Sequence, residues 1–156
     1  MIALNRVIDL PVSREKTWAL LWDVPALAGC LPGCEDVGEI EPRRRYRATI
    51  RDRVGPFRVS IPLDVAVESV VDGERLTLAA SGRDSALGSP VKIRLAVALA
   101  DADGGVRLTL DGEGEFGGKL AALGQAVATR KARETLDRFA ENLTRLLGGG
   151  AGAPAV

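Results

Sequence analysis

Cys30 and Cys34 stand four residues apart around Leu31-Pro32-Gly33, and the chain has no other cysteine. Thiols serve as metal ligands, nucleophiles or disulfide partners, so this spacing is the first place to look for chemistry. A structural zinc needs about four ligands, and the sequence offers no histidine at all. A disulfide across the Pro-Gly turn is geometrically allowed. Two cysteines make no disulfide framework, and free, buried or half-buried thiols in a reducing compartment are the expected state. The missing histidine also removes the commonest general base at neutral pH, and with it any Ser-His-Asp or Cys-His arrangement. No catalytic set and no metal set is expected.

Two other polar residues invite attention. Tyr46 is the single tyrosine, and a buried phenol needs a hydrogen-bond partner, such as the polar head of a ligand. Asp52 shares strand parity with Tyr46 and Ile50, so it points inward, either as a solvated strand end or as part of a site. The other carboxylates fall on outward faces (Asp64, Glu68, Glu113, Glu115) or in turns (Asp72, Asp101, Asp103). Gly112-x-Gly114 lies in a strand rather than before a βαβ helix, so it is no nucleotide signature.

Arg43, Arg44 and Arg45, continued by Arg47, Arg51 and Arg53, form a local basic stripe on a chain whose 21 Lys+Arg balance 21 Asp+Glu. The stripe suits an acidic partner or an anionic membrane surface. It suits equally a solvated sheet face that discourages edge pairing. Zero net charge argues against a general nucleic-acid binder.

The elements that must position these residues follow from periodicity. The 156 residues fit one domain over 1–147, with a flexible Gly/Ala/Pro tail or linker at 148–156. No run of about 18 apolar residues exists, and the start is no signal peptide, so a cytoplasmic protein is expected. Residues 2–10 read as a strand ended by Pro11. Ser13 caps a helix over 14–22, and Asp23 caps a short one near 24–29. The pair lacks a basic recognition helix, so DNA reading is a poor fit. Strands follow at 45–53, 57–68, 75–82, 91–99 and from 106 toward 116, with turn signals between them. Pro62 predicts an edge position or bulge, and the glycines at 112 and 114 a bend or close approach. From Lys119 the period becomes helical for 28–30 residues, about 45 Å. Antiparallel hairpins with a helix on one face give an α+β fold of about seven strands and two layers.

The residues facing the interior are Trp18, Leu21, Leu27 and Leu31 from the short helices and the turn. Tyr46, Ile50, Val59, Ile61 and Leu63 come from the first hairpin, and Leu95, Val97 and Phe116 from the later strands. Leu120, Leu123 and Val127 complete the set from the long helix. They could close into a solid core, as most cores do, or line an apolar ligand pocket.

The ordered motifs of this chain resemble one family. They are Trp18 to Asp23, Cys30-Leu31-Pro32-Gly33-Cys34, Tyr46-Arg47-Ala48-Thr49, Val54-Gly55-Pro56, and Gly117-Gly118-Lys119-Leu120-Ala121 with Leu123-Gly124. The family is the CoxG proteins of carbon monoxide dehydrogenases, within the START-like (SRPBCC) helix-grip group, and the match runs from Trp18 to Phe139. The resemblance implies a curved antiparallel sheet wrapped around a long C-terminal helix, with a cavity between them. It implies a non-enzymatic accessory protein of a molybdenum-containing carbon monoxide dehydrogenase or related molybdenum hydroxylase. It further implies an apolar ligand such as menaquinone or ubiquinone, no tightly bound cofactor, and peripheral contact with the cytoplasmic membrane. Asp111 stands where the pattern tends to have an aromatic residue, which would change pocket polarity. A cyclase- or aromatase-like enzyme using Tyr46 and Asp52, or a docking module with a closed core, are the other readings of the same fold.

Overall fold

The structure is a computed structural model and describes residues 1–149. Seven strands form one antiparallel sheet: β1 (Ile2–Leu10), β2 (Cys34–Glu41), β3 (Arg45–Val54), β4 (Phe57–Val71), β5 (Arg75–Arg83), β6 (Pro90–Ala102) and β7 (Gly105–Phe116). Their order is β1-β7-β6-β5-β4-β3-β2, so consecutive strands pair as hairpins and β1 closes on β7. Between β1 and β2 lie α1 (Arg14–Trp22) and α2 (Val24–Ala28). The Ser13 hydroxyl accepts from the Lys16 amide at 3.1 Å, and Asp23 Oδ1 from the Ala26 amide at 3.4 Å, so both expected caps form.

The single long helix expected from Lys119 is instead two helices, α3 (Gly118–Ala122) and α4 (Gln125–Thr144), followed by a π turn over Arg145–Gly149. Gly124 interrupts them at φ 95, ψ 155, outside the helical region and in backbone space that favours glycine. The apolar stripe runs on through Leu120, Leu123 and Val127, so periodicity alone does not register the break. At 20 residues, α4 is about 30 Å long rather than 45. The boundary expected at 147/148 falls inside the π turn, and residues 150–156 lie outside the described residues.

β2 escapes the alternation rule that finds the other strands. It is mostly exposed, its register against β3 shifts between Glu35 and Gly38 and between Glu39 and Glu41, and Asp36 takes φ 52. Pro62 sits where the β4–β5 pairing stops, since that ladder begins at Leu63↔Gly82. Locally, therefore, it has the edge position its missing N–H requires.

α4 lies closest to β1 at one flank and also reaches β3 at the other. Five strand spacings separate those two strands, about 24 Å in a flat sheet, while a helix is about 10 Å across. The sheet must therefore curl around the helix.

The inner face does not form one continuous core. A first buried cluster joins Ile8, Leu10, Trp18, Val97, Leu108 and Leu143 among others. A second joins Val59, Ile61, Leu63, Val91 and Leu120. Along β6 the two are separated by Ile93 and Leu95, which are only half-buried.

Candidate functional site

One cross-strand row lies between the two clusters. Leu4 pairs with Gly112, Gly112 with Leu95, Leu95 with Leu78, and Leu78 with Val67, so the row crosses β1, β7, β6, β5 and β4 on the inner face. All five are half-buried. In the neighbouring row, Leu110, Val97 and Leu76 are buried. An apolar residue at the centre of a seven-stranded sheet, on the face where the helix lies, is ordinarily packed out by its neighbours. Gly112 adds no side chain to the row, and a Cβ there would overlap the Arg94 carbonyl oxygen. That is the close backbone approach its strand glycine predicts.

The interior residues named from sequence divide between the clusters. Trp18, Leu21 and Val97 are buried in the first, with Leu27 and Leu95 packed beside it. Val59, Ile61, Leu63 and Leu120 are buried in the second, with Ile50, Phe116 and Leu123 beside it. Leu31 is half-buried in the turn after α2, and Val127 is half-buried on α4. The half-buried residues between the clusters include several not named from sequence: Leu4, Val67, Leu78 and Ile93. Their signal was strand parity, already visible in the alternation of β1, β4, β5 and β6.

The motif segments meet in space. Gly55, in the β3–β4 turn, lies 3.4 Å (at its ideal Cβ position) from a Leu123 methyl, so the Val54-Gly55-Pro56 turn rests on the α3–α4 junction. The cysteine turn is clamped from two sides. The Arg51 amide donates to the Gly33 carbonyl at 2.8 Å, and Asn142 Nδ2 on α4 donates to the Cys30 carbonyl at 3.0 Å. Gly33 has φ 77, and a Cβ there would overlap the Arg51 carbonyl oxygen, so only glycine fits. Both thiols are free, and the Cys30 Sγ–H donates to the Ala26 carbonyl at 3.6 Å. Burial pushes both thiol pKa values up, and Glu35 adds to the effect at Cys34.

Ion pairs bridge the sheet and α4 at two places, both partly exposed. Asp52 points inward as its parity requires, and its Oδ2 lies 2.8 Å from Lys131 Nζ on α4, both side chains about 30% exposed. Arg6 occupies an inward position of β1, and its Nε lies 3.3 Å from Asp137 Oδ1 without the alignment of a hydrogen bond. Lys131 and Arg6 were missed in the sequence. Each interrupts an apolar register, Lys131 four residues after Val127 and Arg6 between Leu4 and Ile8, and that interruption was the available signal. A cleft of about 430 Å³ runs beside α4, lined by Pro32, Asp52, Lys131, Glu134, Thr135, Asp137 and Arg138.

Tyr46 is buried, and its hydroxyl accepts from the Arg43 amide at 2.7 Å. Its polar end is therefore engaged within its own hairpin. Asp52 lies six residues further along β3, about 20 Å at the strand rise, so the two do not converge on one reacting centre. Asp111 is exposed on the outer face and adds nothing to the interior, contrary to the polarity change expected of it.

The basic stripe is exposed throughout at Arg43, Arg44, Arg45, Arg47, Arg51 and Arg53, and it is partly neutralised. Arg43 stacks 4.7 Å over the Trp22 ring and lies 3.6 Å from Asp72. Arg47 pairs with Asp64, and Arg51 with Glu35 and Asp36. Among the described residues Arg44, Arg45 and Arg53 have no ion pair. No helix among them is long and apolar enough to cross a membrane, and no group of three or more potential metal ligands occurs.

A family model described as the G subunit of carbon monoxide dehydrogenase (CoxG) matches residues 8–148. The comparison with curated proteins found no match. Among solved structures, a conserved protein from Geobacillus kaustophilus superposes with a TM-score of 0.84 at 21% identity, covering 95% of this chain and 96% of that one. A Thermus thermophilus protein gives 0.72 at 13% identity, covering 96% and 99%. A START superfamily protein from Mycobacterium smegmatis gives 0.65 at 13% identity, covering 96% and 99%. At such identities these structures establish the START-like, helix-grip fold alone.

Proposed function

Because the chain belongs to the CoxG family of carbon monoxide dehydrogenase proteins, we propose that it is a non-enzymatic accessory protein of a molybdenum-containing carbon monoxide dehydrogenase or a related molybdenum hydroxylase. In this reading it carries an apolar ligand, a quinone such as menaquinone or ubiquinone, between α4 and the sheet. It thereby serves electron delivery or recruitment of its partner enzyme to the membrane.

The observation that carries the reading is the half-buried row Leu4–Gly112–Leu95–Leu78–Val67 between two closed clusters. A sheet face that buries its two ends and leaves its middle half-exposed keeps apolar area in water there. An apolar guest would remove that area from water, at roughly 25 cal/mol per Å². Ligand sites are characteristically apolar with a few placed polar groups, and the inward charges at Asp52 and Arg6 fit that composition. The absence of histidine from the sequence and the separation of Tyr46 from Asp52 favour binding over catalysis. Contact with an anionic membrane surface falls to the exposed Arg44, Arg45 and Arg53.

Native mass spectrometry of the purified protein, with solvent extraction of whatever copurifies, tests the reading. A one-to-one adduct with menaquinone or ubiquinone at micromolar concentration is expected. Failure of both quinones to bind at that concentration contradicts it.

A further inference from the structure

Where the sheet sets two charged residues directly opposite each other, their signs are complementary, as in Arg47↔Asp64, Lys92↔Glu115 and Arg94↔Glu113. One rung among the described residues breaks that rule: Arg53 on β3 faces Arg58 on β4. Side chains so placed start about 5 Å apart, and like charges there destabilise the pairing. Both arginines are exposed, and among the described residues neither has an ion pair. On the same face of β3, Arg47 pairs with Asp64, and Arg51 with Glu35 and Asp36. The fold supplies counter-charge to the neighbouring arginines and none to this rung.

The rung is held firmly. Gly55-Pro56 is a two-residue turn between Val54 and Phe57, with Gly55 at φ 58 and the proline φ set by its ring, so the register beside it is fixed. The turn rests on Leu123, and Val54 and Phe57 pack against the second cluster. Two cations are therefore kept side by side at a hairpin tip that folding gains nothing by charging.

The surroundings select the partner. A single small anion finds no walls here, because both arginines stand on an open face where water and salt screen an isolated pair. A lipid surface takes up exposed apolar side chains together with cations, and this hairpin tip exposes no large apolar side chain. The opposite end of β3 does differ: Ile40, Val70 and Val71 are exposed there, near Arg44 and Arg45. Arg45 and Arg53 are about 27 Å apart along β3, so the two ends of the basic stripe meet different surfaces. Membrane contact suits the Arg44–Arg45 end, and Arg53 is matched better by what Arg58 also fits. Paired guanidinium forks fit carboxylates, and a run of carboxylates on a protein makes enough contacts to hold on an open face.

We propose that Arg53 and Arg58 form the docking site for an acidic segment of a partner protein, whose carboxylates supply the counter-charge that the fold withholds. The site lies on the outer face of the sheet, so the proposal stands whether or not a ligand is carried inside.

The test uses the full chain, the double variant Arg53→Gln/Arg58→Gln, and Arg44→Gln/Arg45→Gln as a control with the same change of charge at the other end of β3. Each is titrated at low ionic strength with a fluorescein-labelled Glu-Ser repeat peptide, read by anisotropy. Each is also cosedimented with phosphatidylcholine vesicles containing phosphatidylglycerol. Losing the Arg53–Arg58 fork is expected to weaken peptide binding by about tenfold or more, the scale of a charge-assisted hydrogen bond, with vesicle binding unchanged. The control is expected to keep its peptide affinity. The melting temperature of Arg53→Gln/Arg58→Gln is expected to equal or exceed that of the wild type, because a like-charged rung is removed. Equal loss of peptide binding in both variants, or none in either, overturns the proposal. Loss of vesicle binding with peptide binding intact overturns it in favour of a membrane. Self-association of the wild type in sedimentation velocity that Arg53→Gln/Arg58→Gln abolishes overturns it in favour of a second copy of this chain. A lowered melting temperature overturns it in favour of a role in folding.

Discussion

The indole N–H of Trp18 donates to Asp72 Oδ1 at 3.0 Å across 54 positions of sequence, and so ties α1 to the β4–β5 turn. Asp72 also meets Arg43, whose guanidinium stacks on Trp22, and Trp22 meets Trp18 edge-on at 5.8 Å. The two hairpin tips and α1 thus form one connected end of the molecule. The Trp22 indole N–H, by contrast, is buried with no partner among the described residues. Trp18→Phe is expected to cost about 1 kcal/mol more than Trp22→Phe in chemical denaturation, since only the first removes a made hydrogen bond. Equal costs would mean that the Trp18–Asp72 bond contributes nothing.

Ser89 is fully buried, and its hydroxyl accepts from the Leu120 amide at 3.3 Å, anchoring α3 to the start of β6. Ser89→Ala leaves that amide buried and unpaired, and a loss of about 1–2 kcal/mol is expected. Asp84, 2% exposed, accepts from the amides of Ser60, Ala86 and Leu87. Asp84→Ala should cost more, about 3 kcal/mol, because three donors lose their acceptor together. A thermal melt of the two variants gives the order, and a larger loss for Ser89→Ala would contradict it.

Neither Ser89 nor Asp84 stood out in the sequence, and the reason is physical. Both sit in the β5–β6 connection, where no periodicity operates, and their partners are backbone amides, which every residue type carries. Strands with one wet face were legible because parity alone reports their burial, as in Phe57, Val59, Ile61 and Leu63. β2 was not delimited because bulges and a positive φ at Asp36 remove the parity. The break at Gly124 was hidden because an apolar stripe can continue across a change of helix axis. Asp52 could be placed inward from β3 alone. Its partner Lys131 could not be named, because 79 residues and three-dimensional curvature separate them.

Gly124 has open space around the position a Cβ would take, yet its φ of 95° is strained for any residue with a side chain. Gly124→Ala is therefore expected to destabilise by about 1 kcal/mol without any clash. A neutral or stabilising result would show that α3 and α4 can join into one straight helix.

Cys30 and Cys34 hold their protons to a higher pH than an exposed thiol, burial being the main cause at both. The thiolate is the reactive form, so alkylation at pH 8 should be slower than for free cysteine and should accelerate only above the ordinary thiol range. The sign for stability follows from the same shift. The folded state binds these protons more tightly, so their contribution is present below the unfolded pKa and is lost as pH rises through the folded one. Rapid alkylation of either thiol at neutral pH would contradict the burial described.

The central claim concerns where a guest molecule lies, and a titration of the isotopically labelled protein with a short-chain menaquinone, followed by heteronuclear NMR, reads this residue by residue. The account predicts the largest shifts at Leu4, Leu78, Leu95 and Val67, with Arg94 and Glu113 on the outer face of the sheet unmoved. Shifts confined to that outer face, or no shifts in any of these residues at saturating quinone, would contradict it.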